Sequence, residues 1–208
     1  TKGIMMRISR HEQRSPEWFA ERLGCPSASQ FGRIITPTGL ASKSVDSYIN
    51  ELVAEKVTGS QAYFHETEAM RIGTEREPDA VMNFNFITDY EVSEIGFCKH
   101  SKLEAGASPD GVIHLADGKV ATLEIKCPQA NTMVEYLREG VLPPKYKAQV
   151  QGQLWITEAD HAYFFAFHPD FVPLLIKVER DEEYIQKMSD LTYGVCQQID
   201  LLVKEYKK

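Results

Sequence analysis

Two carboxylates and one lysine are the residues of this chain whose types and spacing could do chemistry together. Asp110 lies in a turn, and Glu124 and Lys126 follow two residues apart in an apolar run. Side chains alternate across a strand, so Glu124 and Lys126 point to one face and their apolar neighbours into the core. Carboxylates beside an ammonium group suit an oxygen-ligand metal site with a basic group next to it. The plainer interpretation is that Glu124 and Lys126 form a solvated strand face and Asp110 an ordinary turn.

The elements that must position these residues are helices and strands in a mixed order. Ser15 is expected to cap a first helix, with Pro16 in its first turn, and Ser27 a second short one. Apolar spacing predicts further helices over 44–57, 68–86 with Pro78 as a kink or restart, 131–138, 145–156 and 181–204. Strands are predicted over 92–97, 103–107, 111–115, 120–126, 161–167 and 174–179, with a hairpin turn at 116–119. This order predicts an α/β fold with helices flanking a central mixed β-sheet.

Composition limits the classes of protein that the chain could be. With 208 residues and 43% hydrophobic content, it is expected to form one domain over residues 5–208, after an expression remnant at residues 1–4. No apolar run is long enough for a membrane span, so no membrane association is expected. The four cysteines are far apart and form no CxxC pair. This spacing argues against zinc-ribbon and iron–sulfur proteins, and reduced thiols in the cytoplasm are expected.

Five segments carry a resemblance to a known family. Ser108-Pro109-Asp110-Gly111 and Leu123-Glu124-Ile125-Lys126-Cys127-Pro128 resemble the active-site motif of the PD-(D/E)xK nucleases. More narrowly, the chain resembles the phage lambda-type 5′→3′ exonucleases, the viral recombination alkaline exonucleases. The further matching segments, in the family's order, are Trp18 with Arg22-Leu23-Gly24 and Ser27-Ala28-Ser29, Gly73 with Glu77, and Ala148-Gln149-Val150-Gln151 with Trp155. The resemblance covers nearly the whole chain and implies a restriction-endonuclease-like core.

The resemblance implies a magnesium-dependent active site. Asp110, Glu124, Glu77 and the main-chain carbonyl of Ile125 would hold Mg²⁺, as two ions, and Mn²⁺ could substitute. Two ions can clamp the attacking and leaving oxygens of a phosphodiester, and magnesium accepts one or two carboxylates besides waters and substrate oxygens. Lys126 would orient or deprotonate the attacking water, or stabilise the developing charge. A lysine with a pKa of about 10.4 is a poor base unless burial or nearby cations lower that pKa.

The resemblance also implies recognition of a DNA end. Arg22 would grip the terminal 5′-phosphate, because a guanidinium can make bidentate hydrogen bonds to such a group. Ser29, Ser108 and Gln149 match the accompanying hydroxyl and amide donors. Met70 matches an apolar position that wedges between base pairs near the fork, although a methionine on an amphipathic helix usually packs in the core.

The activity implied is degradation of one strand of linear double-stranded DNA from a 5′-phosphorylated end, giving mononucleotides and a 3′ overhang. A homotrimeric ring, a single-strand annealing partner and a phage or prophage gene acting in a bacterial cytoplasm are implied with it. The net charge of −7 disfavours the binding of a polyanion in general. However, the N-terminal quarter is slightly basic, and acidic residues are concentrated in residues 61–110. The alternatives are an end-independent endonuclease or repair nuclease with the same core, and a noncatalytic DNA-binding protein on a degenerate nuclease fold.

Overall fold

A five-stranded sheet lies at the centre of the computed structural model, which describes residues 6–61 and 67–208, with the backbone alone at residues 6, 69 and 70. The expected remnant at residues 1–4 lies outside the described residues. The strands are β1 (Met6–Ile8), β2 (Val92–Ser93), β3 (Cys98–His100), β4 (Gly106–Ala107), β5 (Gly111–His114), β6 (Val120–Lys126), β7 (His161–Ala166) and β8 (Leu174–Glu179). The helices are α1 (Pro16–Arg22), α2 (Val45–Thr58), α3 (Glu68–Thr88), α4 (Ala130–Glu139), α5 (Lys147–Thr157) and α6 (Glu182–Tyr206), with 3₁₀ turns at Ala28–Arg33 and Pro144–Tyr146.

The sheet order is β2-β5-β6-β7-β8, and every neighbouring pair is antiparallel except β6 and β7. Strands β5 and β6 form the predicted hairpin, whose turn has Gly118 at φ +81°. Parallel strands require a crossover connection, and α4 and α5 supply it between β6 and β7. The predicted α/β fold with a central mixed sheet is therefore confirmed.

A second, three-stranded sheet of order β1-β3-β4 was not predicted. The strand expected over 92–97 is wrong beyond Ser93, because the chain leaves the main sheet there and pairs again only from Cys98. Gly96 allows this bend: a Cβ at that position would lie 2.5 Å from the carbonyl oxygen of Ser9. Because the two segments approach closely, the backbone N–H of Ser9 donates a hydrogen bond to Phe97 O at 2.8 Å.

Most of the expected helix boundaries are found. Ser15 Oγ accepts the backbone N–H of Trp18 at 3.2 Å, and the carboxylate of Asp181 caps α6 through Tyr184. Helix α3 continues through Pro78 to Thr88, so of the two alternatives considered at Pro78 the restart does not occur. The expected Ser27 cap is wrong, because the segment after Ser27 is a 3₁₀ helix without a side-chain cap. No helix among the described residues has the length and apolar character needed to cross a membrane.

Strand β6 is buried on both faces, which determines the setting of the candidate site. Leu123 and Ile125 pack with Phe84 of α3 and Phe165 of β7. The opposite face, which carries Glu124, lies under α5, and Glu124 is 1% exposed. The solvated strand face considered from the sequence is therefore wrong for Glu124, because a second layer of helix covers it.

Candidate functional site

Glu124 is a buried carboxylate surrounded by hydrogen-bond donors. Its Oε1 atom accepts from Gln149 Nε2 at 2.6 Å and from Lys126 Nζ, and its Oε2 atom accepts from Gln153 Nε2. The two glutamines are four residues apart on α5, so one helix face places both amides over the strand. A buried charge is tolerated only when it is paired and hydrogen-bonded. Both oxygens of Glu124 meet that requirement.

Asp110 lies beside Glu124, in the turn before β5. Its backbone N–H donates to Leu123 O at 3.0 Å, and its Oδ2 accepts the N–H of Ile125 at 2.6 Å. Burial raises the pKa of Asp110 well above its ordinary value, and the negative charges of Glu124 and Glu77 raise it further. The two carboxylates expected from the sequence therefore lie close together, and the repulsion between them contributes to the raised pKa of Asp110.

Lys126 is held as a cation by these carboxylates. Burial disfavours its charged form, but the charges of Glu124 and Asp110 outweigh burial and raise its pKa above the ordinary value. The Nζ atom also lies 5.3 Å from the centroid of the Tyr146 ring. Among the described residues, burial is the one effect that lowers this pKa, and the two carboxylates more than offset it. The side chains alone therefore favour the ammonium form, the opposite of what a general base requires.

Glu77 lies on the rim of the same cleft but is turned to another partner. Its Oε2 atom is 2.5 Å from Arg14 Nη2, and Arg14 has the left-handed backbone conformation, at φ +69°. The cleft has a volume of about 560 Å³, and its lining includes Asp110 and Lys126. Gly73 lines it one helical turn before Glu77, where a Cβ would meet no neighbouring atom within 4 Å.

The donor set can be tested against a metal ion. Among residues 6–61 and 67–208, no group of three or more His, Cys, Asp or Glu side chains is close enough to hold one. The assembled pair is Asp110 with Glu124, while Glu77 is bound to Arg14. Mg²⁺ usually binds one or two carboxylates of a protein through their hard oxygen donors. A cation bound to Asp110 and Glu124 would also relieve the repulsion between these two carboxylates. The residues present fit a magnesium ion.

Arg22 forms a second cluster next to the carboxylates. Its Nη1 atom donates to Ser108 Oγ at 3.0 Å and its Nη2 atom to Ser27 Oγ at 3.4 Å. Ser27 Oγ is in turn 3.2 Å from Ser29 Oγ. Because Ser108 is only two residues before Asp110, the hydroxyl cluster and the carboxylate pair are neighbours.

Two aromatic rings hold the guanidinium of Arg22. Its Cζ atom lies 4.1 Å from the centroid of Trp18 and 5.1 Å from that of Phe97. Burial lowers the pKa of Arg22 from its ordinary value, although a guanidinium stays charged in proteins. Within the described part of the chain Arg22 forms no salt bridge with a carboxylate. A charged, rigid group with spare donors is suited to an anion.

The structure thus joins Arg22, Ser29 and Ser108 in one hydrogen-bonded cluster and places Gln149 on Glu124 instead. The prediction for Met70 concerns a side chain outside the described part of the structure.

Sequence reasoning missed four residues of the two clusters: Arg14, Ser27, Tyr146 and Gln153. The Gln149-x-x-x-Gln153 spacing was a usable signal for Gln153, since residues four apart share a helix face. Ser27 was noticed as a cap and as part of the Ser27-Ala28-Ser29 match, but not as a partner of Arg22. Arg14 is 63 residues from Glu77, and no local pattern indicates so distant a pair.

The chain is similar to a known protein family and to a viral protein. The model of the YqaJ-like viral recombinase domain matches residues 17–160, a range that includes Arg22, Asp110, Glu124 and both glutamines. An uncharacterized protein of Acanthamoeba polyphaga mimivirus is 28% identical over 173 residues, which is 77% of this chain. The chain spans 30% of the length of that relative.

Solved structures share the fold. An alkaline exonuclease, LHK-Exo, from Laribacter hongkongensis is 28% identical, with a TM-score of 0.83 over 93% of this chain and 96% of that one. The same enzyme in complex with dAMP gives a TM-score of 0.82 over the same shares at the same identity. A phage-related exonuclease from Haemophilus somnus 129PT, at 17% identity and a TM-score of 0.65, covers 87% of this chain and 96% of its own and shares the fold alone. These matches confirm the resemblance to the viral recombination exonucleases.

Proposed function

Because the chain belongs to the YqaJ-like viral recombinase domain family, we propose that it is a metal-dependent exonuclease that degrades linear double-stranded DNA from its 5′ end. The observation that carries this proposal is the junction of two clusters at Ser108 and Asp110. One cluster offers the buried carboxylate of Glu124 and the partly buried one of Asp110 with an ammonium group, and the other offers a guanidinium held by aromatic rings among hydroxyls. The first suits phosphodiester hydrolysis, and the second suits a terminal phosphate.

Asp110 and Glu124 are the proposed ligands of the metal, joined by the main-chain carbonyl of Ile125 and by Glu77 once it leaves Arg14. Magnesium supplies charge stabilisation and an activated water in such a site, and Mn²⁺ is expected to substitute. Glu77 must exchange a partly exposed ion pair with Arg14 for the cation. Such pairs are worth only about 0.2–1 kcal/mol, so this exchange costs little.

Lys126 is proposed to stabilise negative charge on the scissile phosphate and to orient the attacking water. The surrounding carboxylates raise the pKa of Lys126 and keep it an ammonium at neutral pH, which supports charge stabilisation. A bound cation would lower that pKa and would allow proton abstraction as well. Its Nζ donors are held beside Glu124, and the lysine lines the cleft. Preorganised donors of this kind are most effective in sites shielded from water.

Arg22, Ser29 and Ser108 are proposed to bind the 5′-phosphate, with Gln149 joining them from the edge of the carboxylate cluster. The cation–π contacts of Arg22 with Trp18 and Phe97 support this role, since a pre-oriented guanidinium loses little entropy on binding. The wedge role of Met70 remains a proposal that stands on the resemblance alone.

The domain organisation, the oligomeric state, the partner and the origin of the protein are proposed from the family resemblance. One nuclease domain over residues 5–208, a homotrimeric ring, a single-strand annealing partner and a phage or prophage gene expressed in a bacterial cytoplasm are consistent with the family. The 3′ overhang left by 5′ resection is the substrate that an annealing protein requires.

A cleavage assay with three substrates and two metal conditions tests the proposal. Linear duplexes with 5′-phosphate or 5′-hydroxyl ends, and a circular duplex, are incubated with Mg²⁺ or with a chelator, and the products are identified by mass. We expect mononucleotides from the linear, 5′-phosphorylated duplex in Mg²⁺ and an intact circle. A cut circle would favour the end-independent endonuclease, and binding without cleavage under every condition would favour the noncatalytic DNA-binding protein.

A further inference from the structure

Gln153 is a buried amide in an unusual position. It is 1% exposed on α5, between the buried apolar residues Val150 and Leu154. Its Nε2 atom donates to Glu124 Oε2, whereas its Oε1 atom has no hydrogen-bond partner within the described protein. An unpaired buried amide oxygen carries a desolvation cost. An apolar side chain of similar size would avoid that cost but would leave Oε2 of the buried Glu124 without a donor, so the glutamine is explained by the carboxylate that it binds.

The donors of Glu124 differ in what else they do. Lys126 lines the cleft, and Gln149 is proposed above to turn toward the 5′-phosphate, so both have tasks at the substrate. Both also bind the same atom, Oε1. Gln153 alone among the described donors fixes Oε2. The terminal torsion of a glutamate is broad, so a carboxylate held at one oxygen still rotates, and the second contact removes that freedom.

We infer that Gln153 is a positioning residue that holds the Glu124 carboxylate in a fixed orientation for the metal ion. The inference rests on the proposed function, since it assigns Glu124 to the metal. Partners that orient metal ligands typically contribute about 10–100-fold to metal affinity. Gln153 therefore acts through Glu124 and does not touch the substrate.

The same helix supplies a matched control. Gln151 is also buried, and its amide is fully used: Nε2 donates to Glu179 O at 2.9 Å and Oε1 accepts the N–H of Asp181 at 2.9 Å. These contacts join α5 to the end of β8 and the start of α6 and are remote from Glu124. Gln151→Met removes a buried glutamine of the same size that has only a structural role.

The experiment measures Mn²⁺ binding by calorimetry in the absence of DNA, for the wild type, Gln153→Met, Gln153→Asn and Gln151→Met. We expect about 10–100-fold weaker binding for both Gln153 variants, because methionine has no N–H and asparagine ends one methylene short of Glu124. Gln151→Met should bind Mn²⁺ as the wild type does while melting at a lower temperature in chelator. Gln153→Asn keeps the test valid if Gln153→Met does not fold. Cleavage by the Gln153 variants should recover as Mn²⁺ is raised.

The outcomes separate this inference from the proposed function. A wild type that binds Mn²⁺ and cleaves DNA, beside Gln153 variants with unchanged Mn²⁺ affinity, overturns the positioning role and leaves the nuclease intact. Equal losses of affinity in the Gln151 and Gln153 variants also overturn it, since the effect would then be general to the helix. A wild type that neither binds Mn²⁺ nor cleaves DNA overturns the proposed function and this inference with it.

Discussion

At the scale of single residues, the site depends on how a buried negative charge is balanced. Glu124 has three hydrogen-bond donors, whereas Asp110 has the backbone N–H of Ile125 and two neighbouring carboxylates. The same enclosure that satisfies Glu124 therefore destabilises the ionised form of Asp110. A carboxyl pair of this kind is costly in the protein by itself and favourable with a cation, which is the energetic basis of a metal site.

Asp110→Asn is expected to stabilise the protein in chelator. Burial raises the pKa of Asp110, so at neutral pH folding must bury a carboxylate that is already ionised in the unfolded chain, or bind a proton, and stability falls as pH rises from the ordinary pKa towards the raised one. The neutral amide removes this cost, and each kcal/mol recovered should raise Tm by about 2–4 °C. Thermal unfolding with chelator and with Mg²⁺ provides the check. The wild type should gain stability from Mg²⁺ and the variant should not; a variant that melts lower in chelator would contradict the argument.

Lys126→Ala should abolish most cleavage while DNA binding persists. Groups that assist proton transfer or stabilise charge at the reacting phosphate typically contribute about 10²–10⁴-fold, whereas affinity comes mainly from other phosphate contacts. Single-turnover cleavage and filter binding separate the two quantities. Lys177→Ala, which removes an exposed lysine paired with Glu179, is the control. Normal cleavage by Lys126→Ala would show that the lysine has no part in the reaction.

Arg22→Ala should remove the preference for 5′-phosphorylated ends. The ratio of rates on 5′-phosphate and 5′-hydroxyl duplexes measures this preference directly. Arg33→Ala is a matched control, because Arg33 also stacks on a tyrosine, Tyr48, at 4.7 Å but has Glu51 as its partner. We expect a ratio near one for Arg22→Ala and an unchanged ratio for Arg33→Ala. A preference that survives in Arg22→Ala would mean that the phosphate binds elsewhere.

At the scale of elements, α5 matters most because it covers the carboxylate face of β6 and must approach closely. Gly152 allows this approach: a Cβ there would lie 2.5 Å from the Phe31 ring and 3.2 Å from Ala28 Cβ. Phe31 is fully buried and cannot move aside. The distance between α5 and the 3₁₀ helix of residues 28–33 is therefore set by a residue without a side chain.

Gly152→Ala and Gly194→Ala should have opposite effects on stability. Overpacking against Phe31 is expected to cost about 1–3 kcal/mol, more than the roughly 0.5–1 kcal/mol that alanine gains over glycine within a helix. Gly194 lies on an exposed part of α6 with nothing near its Cβ position, so its replacement should give that gain alone. Urea unfolding of both variants measures the difference. Stabilisation by Gly152→Ala would show that the contact relaxes without cost.

Local sequence patterns predicted the helices and strands of this protein better than they predicted which of these elements pack on one another. The strand at 120–126 and the strand at 174–179 were located to the residue, since each is bounded by turn residues and has β-branched side chains. The burial of Glu124 was not predicted, because strand alternation identifies two faces without showing which helices cover them. The small sheet was missed because β1 and β3 pair across some 90 residues of chain. Likewise, the cluster of Arg22, Ser27 and Ser108 depends on contacts that only the folded chain makes.

At the scale of the whole molecule, a protein with 23 Lys and Arg against 30 Asp and Glu must hold a polyanion despite its net charge of −7. Many of its lysines and arginines are already paired, including Arg33, Lys56 and Arg180. Arg22 and Arg76 form no salt bridge among the described residues, and Arg76 lines the cleft. The positive charge that remains available at the site is therefore local, which favours binding at a DNA end over binding along the duplex.

This charge distribution predicts a shallow dependence of DNA binding on salt. Each neutralised phosphate contributes about −0.9 to the slope of log K against log salt concentration, so contacts from Arg22, Arg76 and Lys126 should give a slope near −3 for each protein chain. The measurement uses the Lys126→Ala variant, which keeps Arg22 and Arg76 and for which the expected slope is about −2. Binding is measured with linear and circular duplexes of the same length. Affinity for the circle should be much lower, since it offers no terminal phosphate to Arg22. Equal affinities, or a slope of about −6 or steeper for each chain, would show that the protein binds along the duplex through a wider basic surface.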